Sequence, residues 1–447
     1  MIEQQYIDLF NDNRSNIDAH SVKGMNKHRD EAFEAFNKLG FPTSKLEDYR
    51  NSDVSAILDG DFGLNINNLE IPANPYDTFN CDVPNLETHL HFLVNDRYYK
   101  NGKESNNLPK KVFAGSMIEF AEEHPRTFKK HYAQLADVNE NGAVAYNTMF
   151  AQDGFVLYIP ENVVIEQPIQ LVNILRSDVD YNANRRILVI AEKNAQAKLL
   201  VCEHAVDNVK FAVTQVVEIF AEKDAQVDFY ELEENSNKTM KINKIFSDQQ
   251  ENSHVNISSI TLNNGLTRND FKVKLSGSHA EAHVGGLVIN DKVQHTDNFV
   301  HIEHAVPDCL SNQLFKYAID EEATGVFCGR ILVAKDAQRT LAYQNNQNLV
   351  VSDKAKMFAK PQLEIYADDV KCSRGLTTGH LDEEARFYLE ARGIPKAEAE
   401  MMLMVAFTKD VVDMIRIDSL RERLEMLIDK RFRGELMRCG NCEVCTE

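Results

Sequence analysis

The sequence predicts a mainly β fold, a parallel β-helix (solenoid) with helical segments before and after it. Three observations carry that reading. Between about residues 154 and 376, short β-rich runs follow one another and helical periodicity nearly vanishes. Within that stretch a turn sequence repeats. On either side of it, apolar residues recur at helical spacing.

Residues 1 to about 60 read as helical: Ala32, Phe33, Ala35, Phe36 and Leu39 share one face, and Gly40 and Pro42 stop the helix. A mixed stretch follows to about residue 145. It holds a strand-like run, Leu90–Val94, a helix over about Ser116–Glu123 that stops near Pro125, and a further helical turn through Phe128 and Tyr132. The β-rich region then contains Phe155–Ile159, Ile187–Ile190, Lys198–Cys202, Val216–Phe220, Val227–Leu232, Val255–Leu262, Phe271–Leu275, Val284–Ile289, Arg330–Val333 and Leu363–Tyr366. Many short strands without helices mean a sandwich, a barrel or a solenoid.

The repeat decides among these. Ile190–Gln196 reads I-A-E-K-N-A-Q, Phe220–Gln226 reads F-A-E-K-D-A-Q, and Val333–Gln338 reads V-A-K-D-A-Q. Looser copies lie at Gly277–Ala282 and Ser352–Lys356. Ala195 and Ala225 are 30 residues apart, and Ala337 and Ala355 are 18 apart. In a solenoid one corner sits on the next, so a small residue recurs where the turn packs inward. A solenoid also leaves backbone groups unpaired at its terminal rungs, which must be covered or joined to a partner.

From Asp382 the chain reads as three helices. The first has Asp382, Glu383 and Glu384 at its positive end and stops at Gly393 and Pro395. The second spans about Lys396–Ile415 and the third about Ser419–Gly434. Met401, Met402, Met404 and Met414 form a stripe that suits a core or an adaptable partner surface, the core being the expectation. The domains expected are 1–150 (helical and mixed), 151–380 (β-helix), 381–436 (helical) and a Cys-rich tail, 437–447.

Composition limits the function classes. Of 447 residues, 49 are Lys or Arg and 69 Asp or Glu, giving a net charge of −20. Nucleic acid and anionic membranes both need a basic footprint, so neither is an expected partner. No run approaches the about 18 apolar residues of a membrane helix. The first residues lack a signal or transit pattern, so the expected location is the cytoplasm. There is no phosphate loop of the G-x-x-x-x-G-K-[ST] type, which argues against an ATPase.

Eight cysteines are present. Cys81, Cys202, Cys309, Cys328 and Cys372 are scattered singly, as buried inert thiols are. Cys439, Cys442 and Cys445 form a C-x2-C-x2-C run, the spacing that lets three thiolates converge on one iron or zinc ion, with a fourth ligand missing. His295, His301 and His304 cluster ahead of Cys309. On a strand His301 and His304 face opposite sides, so they read as structural.

The stretch Gly325–Gly379, above all K-P-Q-L-E-I-Y-A-D-D-V-K-C-S at Lys360–Ser373, closely resembles the SufB/SufD family of the SUF iron–sulfur cluster assembly system. Ala145–Gly154 resembles that family's entry into its β-helix, and K-L-E-D-Y-R at Lys45–Arg50 is similar to an N-terminal element of its SufD members. The helical tail from Leu381 also fits, and the N-terminal helices favour the SufD side. The resemblance implies a right-handed β-helix and a non-catalytic scaffold. Its implied partners are a SufB-like solenoid at the last rungs and two copies of a SufC-like ATPase, received by the C-terminal helices. The implied cargo is an iron–sulfur cluster, held transiently and shared with the SufB-like chain. The sequence does not decide whether a flavin joins that complex. Where the family usually carries C-S-H-G this chain has Cys372–Ser373–Arg374–Gly375, and an arginine does not ligate iron. The metal-contact candidates are therefore Cys372, Cys439, Cys442 and Cys445.

Two further readings compete. A carbohydrate-active β-helix enzyme would carry aromatic platforms for sugars, and this chain has no Trp. A solitary homodimeric solenoid is the other, a state open to the isolated chain even where its cellular partner is SufB-like.

Overall fold

The computed structural model describes residues 2–69, 75, 87–100 and 107–434. Two sheets dominate it, of ten and nine strands. In each, a strand pairs with the strand two further along the chain, and almost every pair is parallel. The chain thus winds from one sheet to the other and back, which is a parallel β-solenoid. Sheet A runs from Phe113–Ser116 to Lys356–Ile365; sheet B runs from Arg97–Tyr98 and His89–Val94 to Val370–Gly379.

The corners explain the repeat. Asn162, Asn194, Asp224, Asn252, His279, Asp308 and Arg339 all have positive φ and are successively 32, 30, 28, 27, 29 and 31 residues apart. Most are Asn or Asp, the residues that enter the left-handed region at least cost after glycine. The next residue turns inward at each of the six later corners: Ala195, Ala225, Ser253, Ala280, Cys309 and Thr340 are all fully buried. Gln226 N donates to Ala195 O and His254 N to Ala225 O, both at 2.8 Å, so each corner rests on the one before. Cys309 is one of these small corner residues. Ala355 belongs to the opposite corner, where Lys356 N donates to Ala323 O at 2.9 Å. The 18-residue separation of Ala337 and Ala355 is therefore the distance between two corners of one rung.

Inside, the half near this corner is apolar, with Ile187, Val217, Ile245, Phe271 and Val300 stacked in register. Toward the start of the same strands the interior turns polar. Gln215 donates to Asn243 (3.1 Å), Asn243 to Asn269 (3.0 Å), Asn269 to Asn298 (2.8 Å) and Asn298 to the Tyr317 hydroxyl (2.7 Å). Buried amides are tolerated because each finds a partner on the neighbouring rung.

Helices cover the outer faces. The N-terminal helices Ile2–Ala19 and Arg29–Leu39 and the buried helix Gly142–Phe150 pack on sheet A through Tyr6, Phe10, Phe36, Tyr146 and Phe150. Arg29 closes the C-terminus of that last helix, donating to the carbonyls of Thr148, Met149 and Ala151 at 3.1, 2.6 and 2.8 Å. On sheet B lie Lys396–Val412 and Asp418–Phe432, through Val411, Ile415, Leu420, Leu424 and Ile428 against Tyr230, Ile260 and Leu287. No helix among the described residues is long and apolar enough to cross a membrane.

Candidate functional site at the open end of the solenoid

The two ends of the solenoid differ. At the N-terminal end Arg97–Tyr98 and Phe113–Ser116 fold back antiparallel against the first rungs. At the other end Lys356–Ile365 pairs only with Thr324–Val333, and Val370–Gly379 only with Thr340–Val350. Their outer edges carry a free ladder of backbone donors and acceptors, and no described segment continues either sheet. Large apolar side chains are exposed on and just after the last strand of sheet A, Phe358 at 46% and Tyr366 at 64%, and on the helix that follows the last strand of sheet B, Phe387 at 71% and Tyr388 at 54%. That helix, Glu383–Ala391, buries none of its residues and is held at its start by Asp382, which accepts from Glu384 N and Ala385 N at 2.9 and 3.0 Å.

Register fixes what faces the lumen at this mouth. Cys372 lies over Ala342, Arg374 over Gln344 and Leu376 over Asn346, all on the inward side. Cys372 packs against the buried cluster of Ile331, Val333, Ala337 and Ala342, and burial pushes its pKa up, so the thiolate form is disfavoured. Arg374 donates from a guanidinium N–H to Pro361 O, 3.0 Å away across the mouth. His380, eight residues after Cys372, is turned away, its Nδ1 2.8 Å from Val350 O.

The remaining candidates are dispersed. Cys202 and Cys309 are buried, while Cys328 faces outward on sheet A, half-buried, its pKa pushed up to about 11 by burial first and by Asp48. Cys81, Cys439, Cys442 and Cys445 lie outside the described residues. His301 and His304 do face opposite sides: His301 is half-buried on the outer face, and His304 is fully buried with Nε2 2.8 Å from Ser311 Oγ. His295 is tied to the N-terminal segment through Ser52 at 3.1 Å. Among the described residues no three His, Cys, Asp or Glu side chains converge as a metal site. The methionine stripe divides: Met401 is buried, Met414 lies against Gly285 where a Cβ would sit 2.8 Å from its sulfur, and Met402 is exposed.

The N-terminal element Lys45–Arg50 is a clasp on this end of sheet A. Glu47 pairs with Lys360 of the last strand, Asp48 with Arg330 at 3.4 Å. The Tyr49 hydroxyl meets Lys244, Asp270 and Asn141. The Arg268 guanidinium lies 4.6 Å from the Tyr49 ring centroid. A cleft of about 650 Å³ lies between this clasp and the sheet, and its cations are already paired with carboxylates.

Residues 174–407 match the family model described as SUF system FeS cluster assembly, SufBD core domain, and residues 1–171 match the SufBD protein N-terminal region. The chain belongs to the SufBD family. An iron–sulfur cluster assembly SufBD family protein of Synechocystis is 28% identical over 415 residues, covering 90% of each chain. The iron–sulfur cluster assembly protein SufD of Escherichia coli is 35% identical over 176 residues, 39% of this chain and 42% of its own. SufD of Bacillus subtilis is 24% identical over 328 residues, 72% of this chain and 75% of its own. Membership of the SufBD family places the chain in iron–sulfur cluster assembly, and its relatives are consistent with the SufD side. The core match spans the whole open end, so the mouth, its exposed aromatic residues and the clasped last strand are features of a SufBD chain.

Proposed function

We propose that this SufBD chain is a non-catalytic scaffold subunit of a SUF complex. Its open end pairs with a SufB-like solenoid, and its C-terminal helices receive a SufC-like ATPase. The iron–sulfur cluster is held transiently between the two solenoids. The observation that carries this reading is the uncovered last rung with its free ladder and the exposed Phe358 and Tyr366, followed in the chain by a helix that buries nothing. A β-edge of this length needs a partner strand or a cover. A partner solenoid of the same rung geometry supplies strands at the same spacing of about 4.8 Å. The net charge of −20 speaks against nucleic acid and anionic membrane as partners, and the work belongs in the cytoplasm.

Two thiol sets are the metal contacts of this reading. Cys372 stands at the joint itself. Cys439, Cys442 and Cys445 stand in the tail, with a spacing that suits iron or zinc. Co-expression with the SufB-like and SufC-like proteins of the same organism, anaerobic purification and native mass spectrometry test the assembly. The expected mass is one copy of each solenoid and two ATPases. A chain that emerges alone, as monomer or homodimer, contradicts the reading. In the purified complex, Cys→Ser changes in either set are expected to lower bound iron, and unchanged iron removes that set.

A further inference from the structure

Arg374 is the one charged side chain on the inward side of the last rung. The inward positions are fixed by register with the rung below: alternate residues from Met357 to Ile365 on sheet A and from Cys372 to Thr378 on sheet B. Apart from Arg374 these positions carry apolar residues, a thiol or a hydroxyl, and none is acidic. Along the sheet B row, Gln313, Gln344 and Arg374 stack in register. The Gln344 amide nitrogen donates to Gln313 at 2.9 Å. The Gln344 carbonyl oxygen is buried without a partner. Arg374 does not take it; its guanidinium swings across the lumen to Pro361 O instead. Among the described residues no carboxylate pairs with Arg374, although most other arginines of the chain have one.

We propose that Arg374 is the anchor for a carboxylate of the partner solenoid, presented by the rung that covers this mouth. The inference rests on the end-to-end pairing proposed above and names the chemistry that selects the partner. A guanidinium in an apolar ring that is about to be covered must keep its charge, since it does not deprotonate, and so needs an anion in the covering layer. The covering rung lies about 4.8 Å above, within reach of a bidentate arginine–carboxylate pair. A second copy of this chain offers no carboxylate at the inward positions of its own last rung, only another arginine. The mouth therefore favours a different chain over self-pairing, by charge as well as by shape.

The test uses the full chain and its SufB-like partner, with the dissociation constant measured by calorimetry or surface plasmon resonance. Arg374→Gln is expected to weaken binding about 30-fold or more, the lower end for truncating one member of a buried interfacial charge pair. The change lies on an exposed side chain, so the melting temperature of the isolated variant should match that of the parent. Each Asp and Glu on the partner's covering rung is then changed to Asn or Gln, alone and with Arg374→Gln. One of them should cost as much as Arg374→Gln and add little to it. If the parent pair binds and Arg374→Gln binds equally well, or no partner carboxylate couples to it, the inference is overturned. If Arg374→Gln leaves affinity intact but changes bound iron, the arginine serves the cluster and the carboxylate pairing is likewise overturned. If even the parent chains do not bind, the pairing reading itself has failed, which is a separate outcome.

Discussion

Lys241 lies fully buried inside the solenoid with Nζ 3.7 Å from Glu203 and 3.6 Å from Glu231, and Arg185 pairs with Glu203 from the neighbouring strand row. Burial opposes the Glu203 charge, but Lys241 and Arg185 outweigh it and hold its pKa down. Glu233 differs. It accepts from Thr267 at 2.8 Å and Thr261 at 3.2 Å, and burial, reinforced by the Glu203 charge, pushes its pKa up to about 7 from an ordinary 4.5. Removing Lys241 leaves Glu231 without a cation and Glu203 with Arg185 alone, so Lys241→Met is expected to cost about 3–5 kcal/mol, read from chemical denaturation. Glu233 gives a pH dependence of definite sign. A raised carboxyl pKa means the folded chain holds that proton more tightly than the unfolded one. Its contribution is complete below about 4.5 and is lost as pH rises through about 7. Denaturation midpoints should therefore show a fall between pH 5 and 7 that Glu233→Gln removes. None of this network was legible from the sequence. Charged and amide residues inside strands look like solvent-facing positions until register shows which way they point.

At the scale of the element, the corners were the readable part. The two A-E-K-N/D-A-Q turns mark the positive-φ residues Asn194 and Asp224 and the inward alanines after them, while in the third copy Ala337 is buried but the positive-φ residue is Arg339 rather than Asp336. The corner has no space to spare, so Ala225→Leu is expected to destabilise by about 1–3 kcal/mol through overpacking, measurable as a lowered denaturation midpoint. The strands Thr239–Gln249, His295–His304 and Thr340–Val350 escaped the hydrophobic pattern for a physical reason. Their inward residues include Lys241, Asn243, Asn298, Gln344 and Asn346, so apolar alternation fails exactly where the lumen becomes polar. The helix Gly142–Phe150 escaped for the opposite reason: every residue is buried, and a helix apolar all round shows no amphipathic period. The C-terminal helices were legible because each carries one apolar face and ordinary start and stop signals. Leu424 anchors the last of them on sheet B, and Leu424→Ala is expected to cost about 2–5 kcal/mol and to speed hydrogen exchange in Asp418–Phe432 before the solenoid.

For the whole molecule, the two helical coats and the two unlike ends define a directional object. Sheet A is covered by the N-terminal helices and sheet B by the C-terminal ones, while the last rung is left bare. The family resemblance in the sequence pointed to this end through Lys360–Ser373, yet the direction of Cys372 and Arg374 into the lumen needed the register. The clasp from Glu47 to Lys360 also needed it, since it joins residues 313 positions apart. The exposed Phe387 and Tyr388 should serve binding rather than folding. Changing both to serine is expected to leave the melting temperature of the isolated chain unchanged and to weaken recovery of the SufC-like ATPase in pull-downs.

The most direct test of the open end as the working surface is hydrogen–deuterium exchange of the chain, alone and with its SufB-like partner. Amides of Lys356–Ile365 and Val370–Gly379 should exchange quickly in the isolated chain and slow markedly on binding, with Phe113–Ser116 and the N-terminal end unchanged. Slowing confined to the N-terminal end, or a bound state in which the last two strands exchange as fast as before, would contradict the account.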